Sequence, residues 1–429
     1  MTALPGRLNL FQRTMLDWRD WHPYVAVHAV RIDRPLDRAA ATRAIDETLT
    51  HGGLTGLVLD RAAARYQWRG GAASTTLEVV EAGADWQATL AGAFERQLNL
   101  PFVEDGAMDP FRFFALDLGD AFFLGCAYDH FVAGGDSIIV LLNAIADRYA
   151  GHPPQLPLSL YPPTHRRLVA RNPLRFIRGL GRLPAMAASC RRTIRPRFRP
   201  AESHATAFTF FTLDRSEFAA LRSATKHWRV TINDALMALL LLAQDSLNPD
   251  RDRGKSRHEL AVASIINLRD AHGEDVRTTF GQFLSSFRVS HPVPAGIDLE
   301  TLARDVHAAT SRIKREKLYL TTLGAIAVDR VVGHFRTPAE RINVYARSYP
   351  VGAGVSLLNV NVLWRNPDGS PAPMYIRGVP TGPASPLVVA VTTSGETLCA
   401  GVTYRTSSTS ADDILRIQTH LKTRIHALK

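Results

Sequence analysis

Between Arg166 and Arg199 the chain carries eleven arginines and no aspartate, glutamate or lysine. They are Arg166, Arg167, Arg171, Arg175, Arg178, Arg182, Arg191, Arg192, Arg195, Arg197 and Arg199. Prolines punctuate the same region at Pro153, Pro154, Pro157, Pro162, Pro163, Pro173, Pro184, Pro196 and Pro200. Each proline removes a backbone donor and restricts the residue before it, so no long helix or central strand runs through such a stretch. The chain must fold on either side of it. That divides the sequence into an N-terminal part, 1–160, a linker, 161–205, and a C-terminal part, 206–429. The eleven arginines account for the whole formal net charge of +11, so the basicity is a local feature with a local cause.

Both flanks read as mixed α/β. Tyr24–Ile32 has the alternation of a strand, and Asp37–Leu49 has helical spacing through Ala40, Ile45 and Leu49. Leu54–Leu59 and Thr75–Val80 are short strands, and Trp86–Leu98 is a helix stopped by Pro101. Phe111–Leu116 and Ala121–Ala127 are apolar runs around Asp117-Leu118-Gly119-Asp120, which predicts a tight hairpin. Asp136–Tyr149 is helical, with Asp136 or Ser137 as its cap. Leu174–Leu183, inside the linker, has the spacing of a short amphipathic helix.

Beyond the linker the spacing predicts strands at Phe208–Leu213, Leu260–Asn267, Val355–Trp364, Leu387–Thr393 and Thr397–Tyr404. Helices are expected at Glu217–Lys226, Thr231–Leu247, Leu299–Lys317 and Ala411–Leu428. Asn233 and Asp234 suit the positive end of the Thr231–Leu247 helix.

Hydrophobic residues make up 46% of the chain and charged residues 21%, as in globular domains. The longest apolar run, Ala235–Ala243, is far short of the roughly 20 residues of a membrane helix and reads as core. The first residues, Met1–Arg7, lack an apolar signal core, so a cytoplasmic location is expected. Three scattered cysteines, Cys126, Cys190 and Cys399, build neither a disulfide framework nor a metal site. Cys126 lies four residues before His130, and a Cys/His nucleophile pair would need a sharp bend between them. No metal or redox cofactor is expected.

His130 stands directly after the second hairpin strand and before Gly134, Gly135 and a helix. Imidazole titrates near pH ~6.5 and accepts a proton at neutral pH. The glycines allow a tight turn and close approach of backbone to ligand. The helix start offers free amides and positive potential. These features make His130 a candidate base and the Gly135 amide a candidate oxyanion donor.

The segment Tyr128-Asp129-His130-Phe131-Val132-Ala133-Gly134-Gly135-Asp136-Ser137 resembles the HHxxxDGxS signature of the condensation-domain superfamily, matching at His130, Gly135 and Ser137. That superfamily includes nonribosomal peptide condensation domains, wax ester synthases and polyketide-associated acyltransferases. Further blocks are similar to the family's in the same order: Leu8–Gln12 through His22-Pro23-Tyr24, Val230–Leu236, Phe280–Phe283 with Phe287-Arg288-Val289, and Pro373–Gly378. The resemblance implies two chloramphenicol-acetyltransferase-like α/β subdomains in a V around a central tunnel. It implies an acyltransferase with His130 as base at mid-tunnel. The donor would be an acyl thioester on coenzyme A or an acyl carrier protein, and the acceptor an alcohol or amine. The product would be an ester or amide in secondary-metabolite or lipid biosynthesis, and a monomer is expected. Ser356 and Asn359 are candidates for the tunnel wall or the oxyanion site.

Two positions depart from the signature. Asp129 replaces its first histidine; adjacent residues on an extended chain face opposite ways, so Asp129 is not placed to orient the His130 ring. Gly134 replaces its aspartate, which in relatives pairs with an arginine matching Arg288. Either Asp136 takes over that pairing or Arg288 needs another partner. The losses keep a rival reading open, a catalytically silent module that docks an acyl carrier protein. For the arginine-rich segment four readings stand. It is a solvated linker, a docking surface for acidic carriers or coenzyme A phosphates through Arg175, Arg178, Arg182, Arg191 and Arg192, a membrane-surface helix, or a nucleic-acid site. Scarce aromatics argue against nucleic acid.

Overall fold

The computed structural model describes the chain except residues 1–3, 155–157, 161–165, 197–204, 249–250, 252–254, 273–275, 277, 334–335, 338–339, 342–347 and 384. Arg197, Arg199, Pro157, Pro162, Pro163 and Pro200 of the central stretch lie outside the described residues.

The first half runs helix α1 (Leu10–Arg19), strand β1 (Val25–Ile32), α2 (Arg38–Gly52), β2 (Leu77–Glu81), α3 (Trp86–Asn99), β3 (Phe111–Asp117), β4 (Phe122–Asp129) and α4 (Gly135–Tyr149). The predicted hairpin forms: β3 and β4 pair antiparallel from Phe111↔Tyr128 to Asp117↔Phe122. Strand alternation decides the layers. Phe122, Leu124, Cys126 and Tyr128 of β4 pack in the core that includes Ile45 of α2 and Ile138, Leu141 and Leu142 of α4. Phe123 and Ala127 face the opposite side, against Leu90 and Phe94 of α3. Asp37 and Asp85 cap α2 and α3 by accepting from first-turn amides.

The arginine-rich stretch is built, in part, as α5 (Pro173–Leu180) and α6 (Leu183–Arg192). Proline stands in the first turn of each, where its missing donor costs nothing. The second half then adds β5 (Thr206–Leu213), α7 (Ile232–Ser246), β6 (Leu260–Asn267), β7 (Leu284–His291), α8 (Leu299–Arg315), α9 (Tyr319–Gly333), β8 (Ala353–Asn359), β9 (Tyr375–Gly378), β10 (Leu387–Ser394), β11 (Thr397–Arg405) and a final helix, α10 (Ala411–His426). Six of these strands form a sheet in the order β5-β11-β10-β8-β6-β7. The run Ala235–Ala243 is the middle of α7 and lies buried in this half's core, as its composition requires.

β9 does not join that sheet. It crosses to the first half and pairs antiparallel with β1, giving the order β9-β1-β4-β3-β2. Its backbone passes so close to β11 that a side chain at Gly401 would sit 1.9 Å from the Arg377 carbonyl oxygen, which fits only glycine. A third apolar cluster joins the halves, with Phe94 of α3 stacked on Phe208 of β5 at 4.6 Å. Five of these elements are not announced by the spacing: α1, α6, β7, α9 and β9. Val355–Trp364 is a strand only to Asn359, after which a short 3-10 turn follows.

Candidate active site in the cleft between the halves

A cavity of about 380 Å³ lies where the two halves meet. Met15, Trp18, Tyr24 and His130 line it from the first half, and Phe283, Leu284, Ser356 and Leu358 from the second. Much of its wall is apolar, and Asp136, Arg269, Asp329 and Arg377 bring charge to it, where interactions are stronger than in bulk water.

His130 sits just past β4, with its amide donating to the Tyr24 carbonyl at 3.1 Å. Its ring lies between those of Tyr24 and Tyr128, at 5.7 and 5.8 Å between centroids. It is 8% exposed, and that exposure is toward the cavity. No described side chain hydrogen-bonds either ring nitrogen, and Nδ1 is buried without a partner. Burial, then the nearby Arg377 cation, push the ring's pKa down to about 4; the Ala133 backbone pulls weakly the other way. The ring is therefore neutral and basic in form at pH 7.

The loop that holds His130 is clamped from the second half. Gln282 Nε2 donates to the carbonyls of His130 at 2.8 Å and Ala133 at 3.1 Å. Asn9 Nδ2 holds the Gln282 carbonyl at 2.9 Å, and Gln12 Nε2 donates to the Phe131 carbonyl at 3.1 Å. The Phe280–Phe283 block thus acts through Gln282, a residue to which the sequence pattern gave no role.

Neither Asp136 nor Ser137 caps α4. Gly134 holds the cap position without a side-chain bond, because both other residues are engaged elsewhere. Ser137 Oγ donates to the Gly281 carbonyl at 3.2 Å and receives Arg269 Nη2 at 2.7 Å. Asp136 pairs with Arg269 Nε at 3.4 Å and accepts from Asn267. Gly135 lets Leu358 pack closely: a Cβ there would lie 2.4 Å from Leu358 Cδ1, so that side chain would have to move. The first turn of α4 is therefore left open toward the cavity, the arrangement an anion or oxyanion needs.

The pairing of Asp136 with Arg288 does not form. Arg288, on β7, donates to the Pro350 carbonyl and Ser189 Oγ, both at 3.0 Å, and to Thr193. It braces α6 against the second sheet, away from His130, and Arg269 takes the Asp136 carboxylate. Asp129 points away from the ring, as alternation requires, and binds Arg19 Nη1 at 2.6 Å. Arg19 continues through Glu104 to Arg61, whose Nη2 lies 2.8 Å from that carboxylate. Burial raises Asp129 to about 6 despite Arg19.

Ser356 lines the cavity and Asn359 does not. Asn359 ends β8, is exposed, and caps the following 3-10 turn by accepting from the Asn361 amide at 3.2 Å. That corrects its assignment to the tunnel wall. Cys126 faces the core, where burial pushes its thiol up, so it makes no nucleophile pair with His130.

Of the arginines proposed for docking, Arg182 pairs with Glu316 at 2.6 Å and Arg192 with Glu259 at 2.5 Å. Arg175, Arg178 and Arg191 are exposed. The stretch is thus partly tied down on the second half, and Met186 of α6 reaches the cavity. Among the described residues no helix is long and apolar enough to cross a membrane. No group of three or more His, Cys, Asp or Glu is placed to hold a metal among them.

Residues that the sequence reading missed complete the site. Arg377, on the crossing strand β9, lines the cavity with His28. Both nitrogens of His28 are occupied, Nδ1 by Tyr375 Oη at 2.8 Å and Nε2 by Tyr128 Oη at 3.2 Å. Arg377 lies inside the Pro373–Gly378 block already noted, so the sequence marked its neighbourhood though not its role.

No family model and no curated protein matches this chain. Solved structures do. The first condensation domain of the CDA synthetase matches with a TM-score of 0.71 at 16% identity, covering 99% of this chain and 96% of that one. The EpoB cyclization-docking bidomain from Sorangium cellulosum matches at 0.70 and 13% identity, covering 99% and 85%. The X-domain from teicoplanin biosynthesis matches at 0.64 and 17%, covering 98% and 94%. Each match covers at least 98% of this chain, and the chain has the two-subdomain α/β fold of condensation domains.

Proposed function

We propose that this protein is an acyltransferase that moves an acyl group from a thioester to an alcohol or amine. The observation that carries the reading is His130: a neutral, cavity-facing imidazole with no described side chain on either nitrogen, beside an uncapped helix start. In the reaction the acceptor O–H or N–H gives its proton to His130 as its heteroatom attacks the thioester carbonyl carbon. The oxyanion so formed is met by the first-turn amides of α4, with Gly135 as the first donor. Collapse re-forms the carbonyl, breaks the C–S bond and expels the thiolate, which takes the proton back from His130. Proton transfer of this kind contributes ~10²–10⁴-fold, and holding two substrates in one cleft adds to it.

The fold neighbours support the reaction class, since those described as condensation and cyclization domains share this two-subdomain frame. The thioester is carried by an acyl carrier protein or coenzyme A, for which the exposed Arg175, Arg178 and Arg191 provide a complementary surface. Raising the salt concentration weakens donor binding if they do so, and an unchanged affinity removes that part of the reading. The central test is His130→Ala, assayed by mass spectrometry with candidate acyl thioesters. Product formation falls ~10²–10⁴-fold if His130 is the base. Unchanged turnover shows that His130 is not the base, and carrier binding without turnover in either protein marks a docking module instead.

A further inference from the structure

Arg377 is 2% exposed, and no carboxylate among the described residues hydrogen-bonds or ion-pairs with it. Its Nε donates to Thr392 Oγ1 at 2.9 Å, and its Nη2 to the carbonyls of Ser356 at 2.7 Å and Val391 at 2.6 Å. Those bonds fix the guanidinium without neutralising it. Nη1 has only Ser356 Oγ, at a weak 3.4 Å. Both residues line the cavity. The Ser356 hydroxyl accepts that contact and donates to no described residue.

The charge around this point does not balance. Asp136 is the nearby carboxylate, and it is already paired with Arg269 and bonded to Asn267. His28 and His130 are held neutral, in part by Arg377 itself. One buried positive charge is left over. An isolated buried ion is costly unless it is paired, and guanidinium with a neighbouring hydroxyl is a donor set that matches the two oxygens of a carboxylate. Much of the rest of the wall is apolar, contributed by residues such as Met15, Phe283, Leu358 and Val388, with Asp136, Arg269 and Asp329 as the other charged residues that line it.

We propose that Arg377 Nη1 and Ser356 Oγ form a carboxylate-binding subsite, so that one substrate entering this cavity bears a free carboxylate on an apolar body. That the ligand is a substrate rests on the acyl-transfer reading; the binding does not. Two sources supply such a group: an acceptor that is a hydroxy or amino acid, or a donor whose acyl chain ends in a carboxylate. Neutralising Arg377 also removes one of the forces that hold His130 below its ordinary range, so the carboxylate makes the base stronger when it arrives.

The test is calorimetric binding to the full chain with two matched pairs of probes. Hydroxyhexanoate against hexanediol represents the acceptor. The succinyl against the butyryl thioester of N-acetylcysteamine represents the donor. In one pair the carboxylate binds at least ~10-fold tighter, the strength of a charge-assisted bond in a dry site, and that pair identifies the source. Arg377→Met abolishes the preference while the uncharged member binds as before, and Ser356→Ala reduces it. Equal affinities within both pairs for the unmodified protein overturn the proposal, whether or not Arg377→Met folds. His130→Ala keeps the preference. Unimpaired turnover in that variant would remove His130 as the base, no turnover in the unmodified protein would remove the acyl-transfer reading alone, and equal binding would remove this one alone.

Discussion

Each half of the molecule buries a fifteen-residue helix, α4 in the first and α7 in the second, and the two begin in opposite ways. At α7 Thr231 closes a capping box with Asp234. Asp234 is fully buried and accepts from the Thr231 amide at 3.0 Å, Thr310 Oγ1 at 2.6 Å and His307 Nδ1 at 2.7 Å. Every polar group there has a partner. At α4 a glycine stands at the cap, no side chain caps the first-turn amides, and the neighbouring histidine has a buried nitrogen without a partner among the described residues. Local rules are obeyed where the helix only supports the fold and broken where it opens on a cavity. The two histidines show the same contrast. His307 is held by a carboxylate, whereas the carboxylate beside His130 in sequence, Asp129, is taken by Arg19.

That contrast can be broken at either end. His130→Ala has the largest effect, on rate and not on folding: kcat/KM falls by ~10²–10⁴ while the thermal midpoint holds, since no side chain loses a partner. A midpoint several degrees lower would make His130 a structural residue like His307. Asp234→Ala does the reverse. It removes a cap and orphans buried hydroxyls, destabilising by about 3 kcal/mol in denaturant titration. Gly135→Ala forces Leu358 toward the cavity and costs about 1 kcal/mol, because the atom displaced is the end of a flexible side chain. Its larger signature is a raised KM for the more bulky substrates.

The smallest effect is in pH. With His130 at about 4, kcat/KM stays level on acidification from neutrality and falls only near that value. A limb at the ordinary ~6.5 would show a solvated ring. Stability follows a subtler course. Between pH 6.5 and about 4 the unfolded chain protonates this histidine and the folded one does not, so His130 lowers stability as pH falls. Asp129, raised to about 6, binds its proton in the folded state first and raises stability as pH falls from about 6 toward 3.8. The two oppose each other, and circular dichroism melts across this window shift less than either residue alone would cause. In the Asp129→Asn variant the histidine contribution stands uncovered.

Much of this was legible in the chain. The hairpin before His130, the helix after it and the buried α7 all follow from periods and breakers that act within a few residues. Alternation along β4 placed Asp129 away from the ring before any contact was known. What stayed hidden were pairings between distant residues. Arg269 rather than Arg288 meets Asp136 because Arg288 is spent bracing α6. Asn359 leaves the cavity because its strand ends there and its side chain turns to cap the backbone. Gln282 has nothing in its surroundings in sequence to show that it would reach across 152 positions to the His130 carbonyl.

The sequence by itself determined the setting of the candidate base, His130, between a strand, a glycine turn and a helix, and the mixed α/β character of the fold, because strand and helix periods and glycine turns are local properties. Only the tertiary structure decided what surrounds that residue. The crossing of β9 into the first sheet sets Arg377 in the cleft without a paired carboxylate among the described residues, and the arrangement is global: it depends on which strand completes which sheet, and no local pattern encodes that.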